Sequence, residues 1–186
     1  MKKAVLLAWL LGALAGTAWA DADPVTLTFQ EKDGHFDIQG HFEVAADPKT
    51  AWDTLTDFES YPKFSHELKK VQVKERTKDH WVIEEVAESG VLFFTQKVFF
   101  LLDVKEVPER SFVSTDTGHK SFVSYESRWD IKPVEGGKAL ELAYHLKAEG
   151  HFGGPAFMVN DTFKGGVQNF LRAMRQEILR RQKSAK

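Results

Sequence analysis

The residues of this sequence that could carry acid–base chemistry are its histidines and the carboxylates beside them. A general acid or base must lie within hydrogen-bond reach of its substrate, with a pKa tuned by its surroundings. Of the seven histidines, His66, which is followed by Glu67, and His151 fall where the pattern of elements indicates the mouth of an internal space. Exposure to solvent is the simpler explanation of these residues, because such side chains are seldom buried. We therefore name them as candidates and assign no catalytic residue.

Nucleophilic and metal-assisted catalysis leave no signature in the sequence. The chain contains no cysteine and no Gly-x-Ser-x-Gly turn that would present a nucleophilic serine. Its histidines show neither the His-x-His nor the His-Glu-x-x-His spacing of metal sites. It also has no glycine-rich loop of the kind that holds phosphates. We expect no cofactor and no metal ion.

The charge balance argues against a nucleic-acid partner. Lysine and arginine number 25 against 27 aspartates and glutamates, which gives a formal net charge of −2. Nucleic-acid-binding domains show a basic footprint, and this chain has none. A local excess of positive charge lies over residues 172–183, where it suits the negative end of a helix dipole. Contact with anionic lipid head groups is the alternative interpretation of that cluster.

The beginning of the chain has the features of a secretory signal peptide. Lys2 and Lys3 precede an apolar run over residues 4–15, and Ala18 and Ala20 are small residues at the two positions that determine cleavage. The run is shorter than the ~20 residues that a membrane-spanning helix needs. We expect residues 1–20 to be a signal peptide and residues 21–186 to form a single domain. The domain would then be secreted, or periplasmic if the source is Gram-negative.

The last part of the chain predicts one long amphipathic helix from Pro155 to Gln182. Its apolar residues recur every three or four positions and share one face. No second helix of similar length is evident, so strands must cover that face. Gly165 and Gly166 each cost about 1 kcal/mol relative to alanine, which a kink, a close approach to the sheet or space for a bound molecule would explain. The apolar face consists of Val159, Phe163, Val167, Phe170, Met174 and Ile178.

The chain between the signal peptide and this helix consists of predicted strands and one short helical region. Alternating apolar and polar residues on both sides of Asp33 and Gly34 predict a hairpin. Asp47 and Pro48 have the residue types of a helix N-terminus, and a second short helix or turn is expected over residues 63–67. The two-residue period then returns from position 68 to position 146. The predicted fold class is therefore α+β.

The strongest predicted strand, over residues 91–104, is apolar on both of its faces. An antiparallel sheet with one wet face does not need this, so Phe93, Phe99 and Leu101 require a partner. The N-terminal hairpin or a sheet edge could cover them. Alternatively, the three side chains mediate self-association or transient contact with a membrane.

A set of residues between positions 42 and 64 carries a family resemblance: Phe42 to Pro48, Trp52, Leu55, Asp57, Phe58, Tyr61, Pro62 and Phe64. Together they resemble the opening of the START-like (SRPBCC) superfamily, which includes a polyketide cyclase/dehydratase branch and a coenzyme-Q-binding branch. The resemblance implies a helix-grip fold, in which a curved antiparallel sheet wraps around a long C-terminal helix and two short helices follow the first family strand. The strand at positions 25–29 is an extra N-terminal element.

The resemblance also indicates what lies between the helix and the sheet. The inward faces of the strands are mostly apolar and aromatic, with few hydroxyl or amide groups, which is typical of a site for an apolar ligand. A filled core has the same composition, and the resemblance favours a cavity. The cavity lining is expected to be Val98, Phe100, Val123, Tyr125, Trp129, Leu142, Tyr144, Asn160, Phe163, Val167, Phe170 and Met174.

These observations lead to three hypotheses about function. The first is a secreted or periplasmic carrier that binds one hydrophobic small molecule (a lipid, an isoprenoid or a quinone-like compound). The second is a cyclase- or dehydratase-type enzyme on the same fold, which requires an acid–base group that points inward. The third is a protein-interaction module with a solid core.

Overall fold

A single antiparallel sheet and two α-helices make up most of the chain. The computed structural model describes residues 24–78, 80–91, 94–150 and 152–185, so the expected signal peptide and the side chains of Phe93 and His151 lie outside the described residues. Two short 3₁₀ helices, Phe58–Lys63 and Glu135–Gly137, complete the secondary structure of these residues. The longer elements are β1 (Val25–Lys32), β2 (His35–Val44), α1 (Pro48–Thr56), β3 (Leu68–Arg76), β4 (His80–Val91), β5 (Phe94–Val107), β6 (Ser111–Asp116), β7 (Ser124–Val134), β8 (Ala139–Glu149) and α2 (Ala156–Ser184).

The eight strands form one curved sheet in the order β1-β2-β8-β7-β6-β5-β4-β3, and α2 packs on its concave face. The long crossing from β2 to β3 runs through α1 and the first 3₁₀ helix, whereas the remaining strands follow one another as hairpins. This arrangement confirms the expected α+β helix-grip fold, including the extra N-terminal strand.

The hairpin between β1 and β2 turns where the sequence predicts it. Lys32 pairs with His35 across the turn. Asp33 and Gly34 have φ angles of 53° and 81°, so both central residues are left-handed, as a type I′ turn requires. The two-residue loop fixes the register, and it sends the apolar residues of β2 to the concave face.

The short helical region begins as the sequence predicts and ends differently. The Asp47 carboxylate accepts a hydrogen bond from the Thr50 backbone N–H at 2.8 Å, which caps α1. The second helix lies at Phe58–Lys63, not at residues 63–67. Tyr61 explains the difference, because its hydroxyl donates to the Leu55 carbonyl at 2.5 Å and holds this turn against the end of α1.

The C-terminal half of α2 packs closely against the sheet. Leu171, Met174 and Ile178 are fully buried there. Gly40 of β2 permits the close approach of the helix, because a Cβ atom on Gly40 would lie 2.4 Å from the Leu171 Cδ1. The close contact of helix and sheet therefore depends on the absence of a side chain at Gly40.

Ion pairs reinforce the same half of α2. The Arg181 guanidinium donates to the Asp57 carboxylate at 2.8 Å and to the Glu177 carboxylate at 2.7 Å. Hydrogen bonds from Arg180 and Arg181 lower the pKa of Glu177 to about 2, although partial burial opposes this effect. Arg175 adds a bond to the Glu43 carbonyl at 2.9 Å. The C-terminal half of α2 is thereby tied to β2 and to the residue that joins α1 to the first 3₁₀ helix.

The two faces of β5 differ as the alternation predicts. Val98 and Phe100 face the helix and are buried, whereas Phe99 and Leu101 are 41% and 37% exposed on the convex side. The N-terminal hairpin lies towards the opposite edge of the sheet, so within the described residues it does not cover them. A partner chain or membrane at this face remains a prediction, which light scattering of Phe99→Glu against the wild type would test.

Nowhere in residues 24–78, 80–91, 94–150 or 152–185 is a helix both long and apolar enough to cross a bilayer.

The contact between Gly40 and Leu171 makes a prediction about stability. Gly40→Ala should lower the free energy of unfolding by about 1–3 kcal/mol, because the new methyl group overlaps the end of the fully buried Leu171 side chain, which must shift within the core. In a Leu171→Ala background the same substitution should cost much less, since the overlapping atoms are gone. Urea denaturation of the four proteins of this cycle measures both values.

Gly165→Ala is the matched control, because a Cβ atom at Gly165 meets nothing within 4 Å. It should stabilise α2 by up to about 1 kcal/mol through helix propensity alone. Equal effects of Gly40→Ala in the wild-type and Leu171→Ala backgrounds would contradict the proposed contact.

Candidate functional site

A cavity of about 150 Å³ lies between the N-terminal half of α2 and strands β4 to β8. One face of the helix forms a wall of the cavity, through Phe163, Gly166, Val167 and Phe170. Gly166 is itself one of the lining residues, so the second glycine of the pair lies where the helix borders the cavity. Of the explanations for the glycine pair, space for a bound molecule agrees with this placement.

Most of the residues that the sequence predicts for the cavity wall do lie at the surface of this cavity. They come from the concave faces of β5, β7 and β8 and from one face of α2, which are the surfaces that the two periodicities bring together. Their role in ligand binding remains a prediction. These residues are Val98, Phe100, Tyr125, Trp129, Tyr144, Phe163, Val167 and Phe170.

The other four predicted residues lie elsewhere. Val123 is 56% exposed, because it precedes the first residue of β7 and so does not follow the alternation of that strand. Leu142 and Met174 are fully buried in the packed core. Asn160 donates a hydrogen bond from its side-chain amide to the Glu31 carboxylate at 3.2 Å, outside the cavity.

Aromatic rings hold much of the cavity wall in place. The Phe100 and Tyr125 ring centroids are 4.6 Å apart. At the other side, Phe170 meets Trp129 at 6.2 Å and Tyr144 at 6.3 Å, in edge-to-face arrangements. Such pairs are favourable beyond their buried area. The rings therefore contact one another around the space and leave its centre open.

The polar groups of the cavity include a cluster of hydroxyls. The Tyr125 and Tyr144 hydroxyl oxygens are 3.4 Å apart, and both tyrosines also interact with the Ser127 hydroxyl. Burial raises the pKa of Tyr144 to about 12 and that of Tyr125 well above its ordinary value. Both phenols are therefore neutral at any physiological pH, and each can donate or accept a hydrogen bond.

Glu85, on β4, is the most unusual residue of the cavity. Its side chain borders the space, and removal from bulk water raises the pKa of its carboxyl to about 7. Within the described part of the chain, the structure gives this carboxyl neither a hydrogen bond nor a cation. Its negative charge also raises the pKa of Tyr61, Tyr125 and Tyr144, so it lies within electrostatic reach of all three. Glu85 is not among the residues that the sequence predicts for the cavity.

The acid–base candidates from the sequence are only partly brought to this site. Glu67 borders the cavity and accepts a hydrogen bond from the Ser65 hydroxyl at 3.1 Å. His66 is exposed, and His151 lies outside the described residues. The carboxylates of the site are thus Glu67, on the segment that precedes β3, and Glu85, on β4.

Other lining residues that the sequence analysis missed come from the first 3₁₀ helix, β6 and the segment before β7. They are Phe58, Tyr61, Phe112, Ser114 and Phe122. No Lys, Arg or His belongs to the lining that the structure describes. Among the same residues, no group of three or more His, Cys, Asp or Glu side chains is placed to hold a metal ion.

The comparison with protein families identifies the class of the chain. The family described as polyketide cyclase / dehydrase and lipid transport matches residues 44–175. The chain belongs to this family, which agrees with the START-like resemblance of residues 42–64. The match begins at the last residue of β2, so β1 and nearly all of β2 precede it. No curated protein sequence matches the chain.

Solved structures with the same fold have widely divergent sequences. A STAR-related lipid transfer protein from Xanthomonas axonopodis is 11% identical, with a TM-score of 0.65 over 85% of this chain and 95% of that one. The Zhui aromatase/cyclase from Streptomyces sp. R1128 is 12% identical, with a TM-score of 0.65 over 82% and 96%. A START superfamily protein from Mycobacterium smegmatis is 22% identical, with a TM-score of 0.58 over 82% and 100%. These similarities establish the fold.

The raised pKa of Glu85 makes a prediction about stability and pH. Because the carboxyl holds its proton more tightly in the folded state, the wild type should lose stability as the pH rises from about 4.5 to about 7. Glu85→Gln removes this loss, so the variant should be more stable than the wild type by up to about 3 kcal/mol near pH 8. The difference should be much smaller near pH 5.

Thermal or urea unfolding across this pH range measures the effect. Glu84→Gln is the matched control, because Glu84 is the neighbouring residue of β4 and pairs with Lys70 and Lys74 on the surface. It should change stability by less than about 1 kcal/mol. A Glu85→Gln stability profile parallel to that of the wild type would show that the pKa of Glu85 is the same in the folded and unfolded states.

Proposed function

We propose that this protein binds one hydrophobic small molecule between α2 and the sheet and acts as its carrier. The observation that supports this proposal is the cavity itself, whose wall is mostly aromatic and aliphatic. Well-packed protein interiors contain few voids larger than a water molecule. A space of this size, bordered by hydroxyls at one side, fits a molecule with an apolar body and a small polar end.

The volume limits what this conformation can enclose. Apolar protein cavities of about 150 Å³ admit molecules of the size of benzene, so a single ring or a short branched chain fits the space of about 150 Å³ seen here. Burial of apolar surface contributes roughly 25 cal/mol per Å². A longer lipid or isoprenoid would protrude from this space unless α2 moved away from the sheet.

The unequal anchoring of α2 gives such a movement a direction. The three side chains with no exposed surface, Leu171, Met174 and Ile178, and the ion pairs of Glu177 lie in the C-terminal half. The N-terminal half buries Val159 and Thr162 and leaves Phe157 exposed. The segment before the helix contains Gly153 and Gly154, of which Gly154 has a φ angle of 118°. We propose that this segment is the hinge on which the N-terminal half of α2 lifts to admit a ligand.

The carrier is also proposed to act outside the cytoplasm. The basic residues, apolar run and small residues within positions 1–20 support export. N-terminal sequencing of the protein recovered from its native host tests this, and the expected first residue is Asp21. An N-terminus that retains the apolar run would contradict cleavage.

Ligand capture is tested by organic extraction of the purified protein and mass spectrometry of the extract. The wild type should release one class of apolar compound in stoichiometric amount. Val167→Phe should release little or none, because the larger side chain fills the space beside Phe163 and Phe170.

Val123→Phe is the matched control, since it makes the same substitution at an exposed position outside the cavity. It should retain the wild-type amount of ligand. Equal ligand content in the Val167→Phe and Val123→Phe variants would contradict binding between α2 and the sheet.

The raised pKa of Glu85 favours a second candidate function, which is acid–base catalysis on a carbonyl compound. A carboxyl with a pKa of about 7 is suited to transfer protons near neutral pH. The Tyr125 and Tyr144 hydroxyls could stabilise the oxygen of an enol. Such an enzyme would belong to the cyclase or dehydratase type.

Proton exchange distinguishes the enzyme from the carrier without knowledge of the natural substrate. An enzyme of this type should accelerate exchange of the acetophenone methyl protons in D₂O, as followed by NMR, and Glu85→Gln should remove the acceleration. Exchange at the buffer rate with the wild-type protein would leave the carrier as the function.

A further inference from the structure

The charges that border the cavity all have the same sign. Glu67 and Glu85 carry carboxyls, and the lining that the structure describes contains no Lys, Arg or His. A charge buried without a partner is strongly unfavourable. An anionic head group, such as a fatty-acid carboxylate or a phosphate, would find no cation there, only carboxyls that repel it once they ionise. The site is therefore poorly suited to anionic lipids.

The remaining polar groups of the cavity are hydroxyls that can donate hydrogen bonds. Tyr125, Tyr144 and Ser127 form one cluster. The Tyr61 hydroxyl is already committed to the Leu55 carbonyl. A protonated Glu85 carboxyl adds an O–H donor that has no acceptor among the described residues, and it lies within electrostatic reach of the two clustered tyrosines. A bound molecule with an oxygen acceptor would supply the missing partner.

We propose that Glu85 is a specificity-determining residue of the cavity, where its protonated carboxyl donates a hydrogen bond to an uncharged oxygen acceptor, such as a carbonyl, on the ligand. The inference rests on the proposed binding function and names the chemistry of its ligand. The site then selects neutral molecules over anions of the same size. Ionisation of Glu85 removes the donor and places a negative charge beside the ligand oxygen, so affinity falls as the pH rises.

The groups that face Glu85 support the assignment of this pH dependence. The first 3₁₀ helix presents Tyr61, β7 presents Tyr125 and β8 presents Tyr144, and burial raises the pKa of each above its ordinary value. The segment before β3 presents Glu67. The cavity-lining residues that the structure describes on α2, β5 and β6 are not ionisable. A loss of affinity near neutral pH is thereby assigned to Glu85, whose pKa is about 7.

Three probes that share one benzene ring test the proposal: acetophenone, benzoate and benzylamine. NMR titration should show that acetophenone binds the wild type at least tenfold more tightly than benzoate or benzylamine near pH 5.5. The apparent dissociation constant of acetophenone should rise roughly tenfold per pH unit above about 7, because only the protonated form binds well. Glu85→Gln, which keeps an N–H donor at every pH, should bind acetophenone with no pH dependence.

Two further variants complete the experiment. Glu85→Leu should bind acetophenone at least tenfold more weakly than the wild type near pH 5.5 and with no pH dependence, because the Glu85 donor is lost while the tyrosine hydroxyls and the apolar wall remain. Glu84→Gln, on the same strand with its partners at the surface, should retain the wild-type affinity and pH profile.

The outcomes separate this inference from the proposed function. Benzoate or benzylamine binding as tightly as acetophenone would overturn the inference and leave the cavity as a binding site. A pH dependence that persists in Glu85→Gln would overturn it as well. If neither these three probes nor ethylbenzene binds the wild type or Glu85→Gln, both the inference and the binding function fall.

Discussion

The close approach of α2 to β2 at Gly40 is the constraint on which the rest of the structure depends. Leu171 occupies the space that a side chain at Gly40 would take, and Arg181 ties the same end of the helix to Asp57. The opposite half of α2 rests against large aromatic rings of the sheet. A helix that lies close to the sheet at one end and is separated from it by aromatic rings at the other leaves a gap, and the cavity is that gap.

The interior of this gap is not optimised for stability. A half-buried carboxyl that is partly removed from water and has no partner favours the unfolded state above the ordinary pKa of glutamate, and replacement by an apolar residue of similar size is often stabilising in such positions. The open space also forfeits the dispersion contacts that its wall would otherwise make. Glu85 and the empty volume lie at the same place, where the polar end of a ligand would be. This coincidence is what a binding or catalytic site produces when function opposes stability.

Periodicity in the sequence predicts the fold and much of the cavity wall. The 3.6-residue period of α2 and the two-residue period of β5, β7 and β8 each identify one buried face, and those faces meet. Val123 was misplaced because the alternation of β7 starts one residue later. Glu85 could have been found, since Trp81 and Ile83 of the same strand place it on the inward face. Whether facing rings leave a space depends on backbone separations of a few ångströms, which residue types do not specify.

The existence of an accessible space between helix and sheet is the central claim, and a crystal structure under xenon pressure tests it most directly. Xenon binds in apolar cavities of this size. We predict an ordered xenon atom in contact with Phe100, Val167 and Phe170, with the side chains of the wall unmoved. Rings that interlock across this region, with no xenon between α2 and the sheet, would contradict the account.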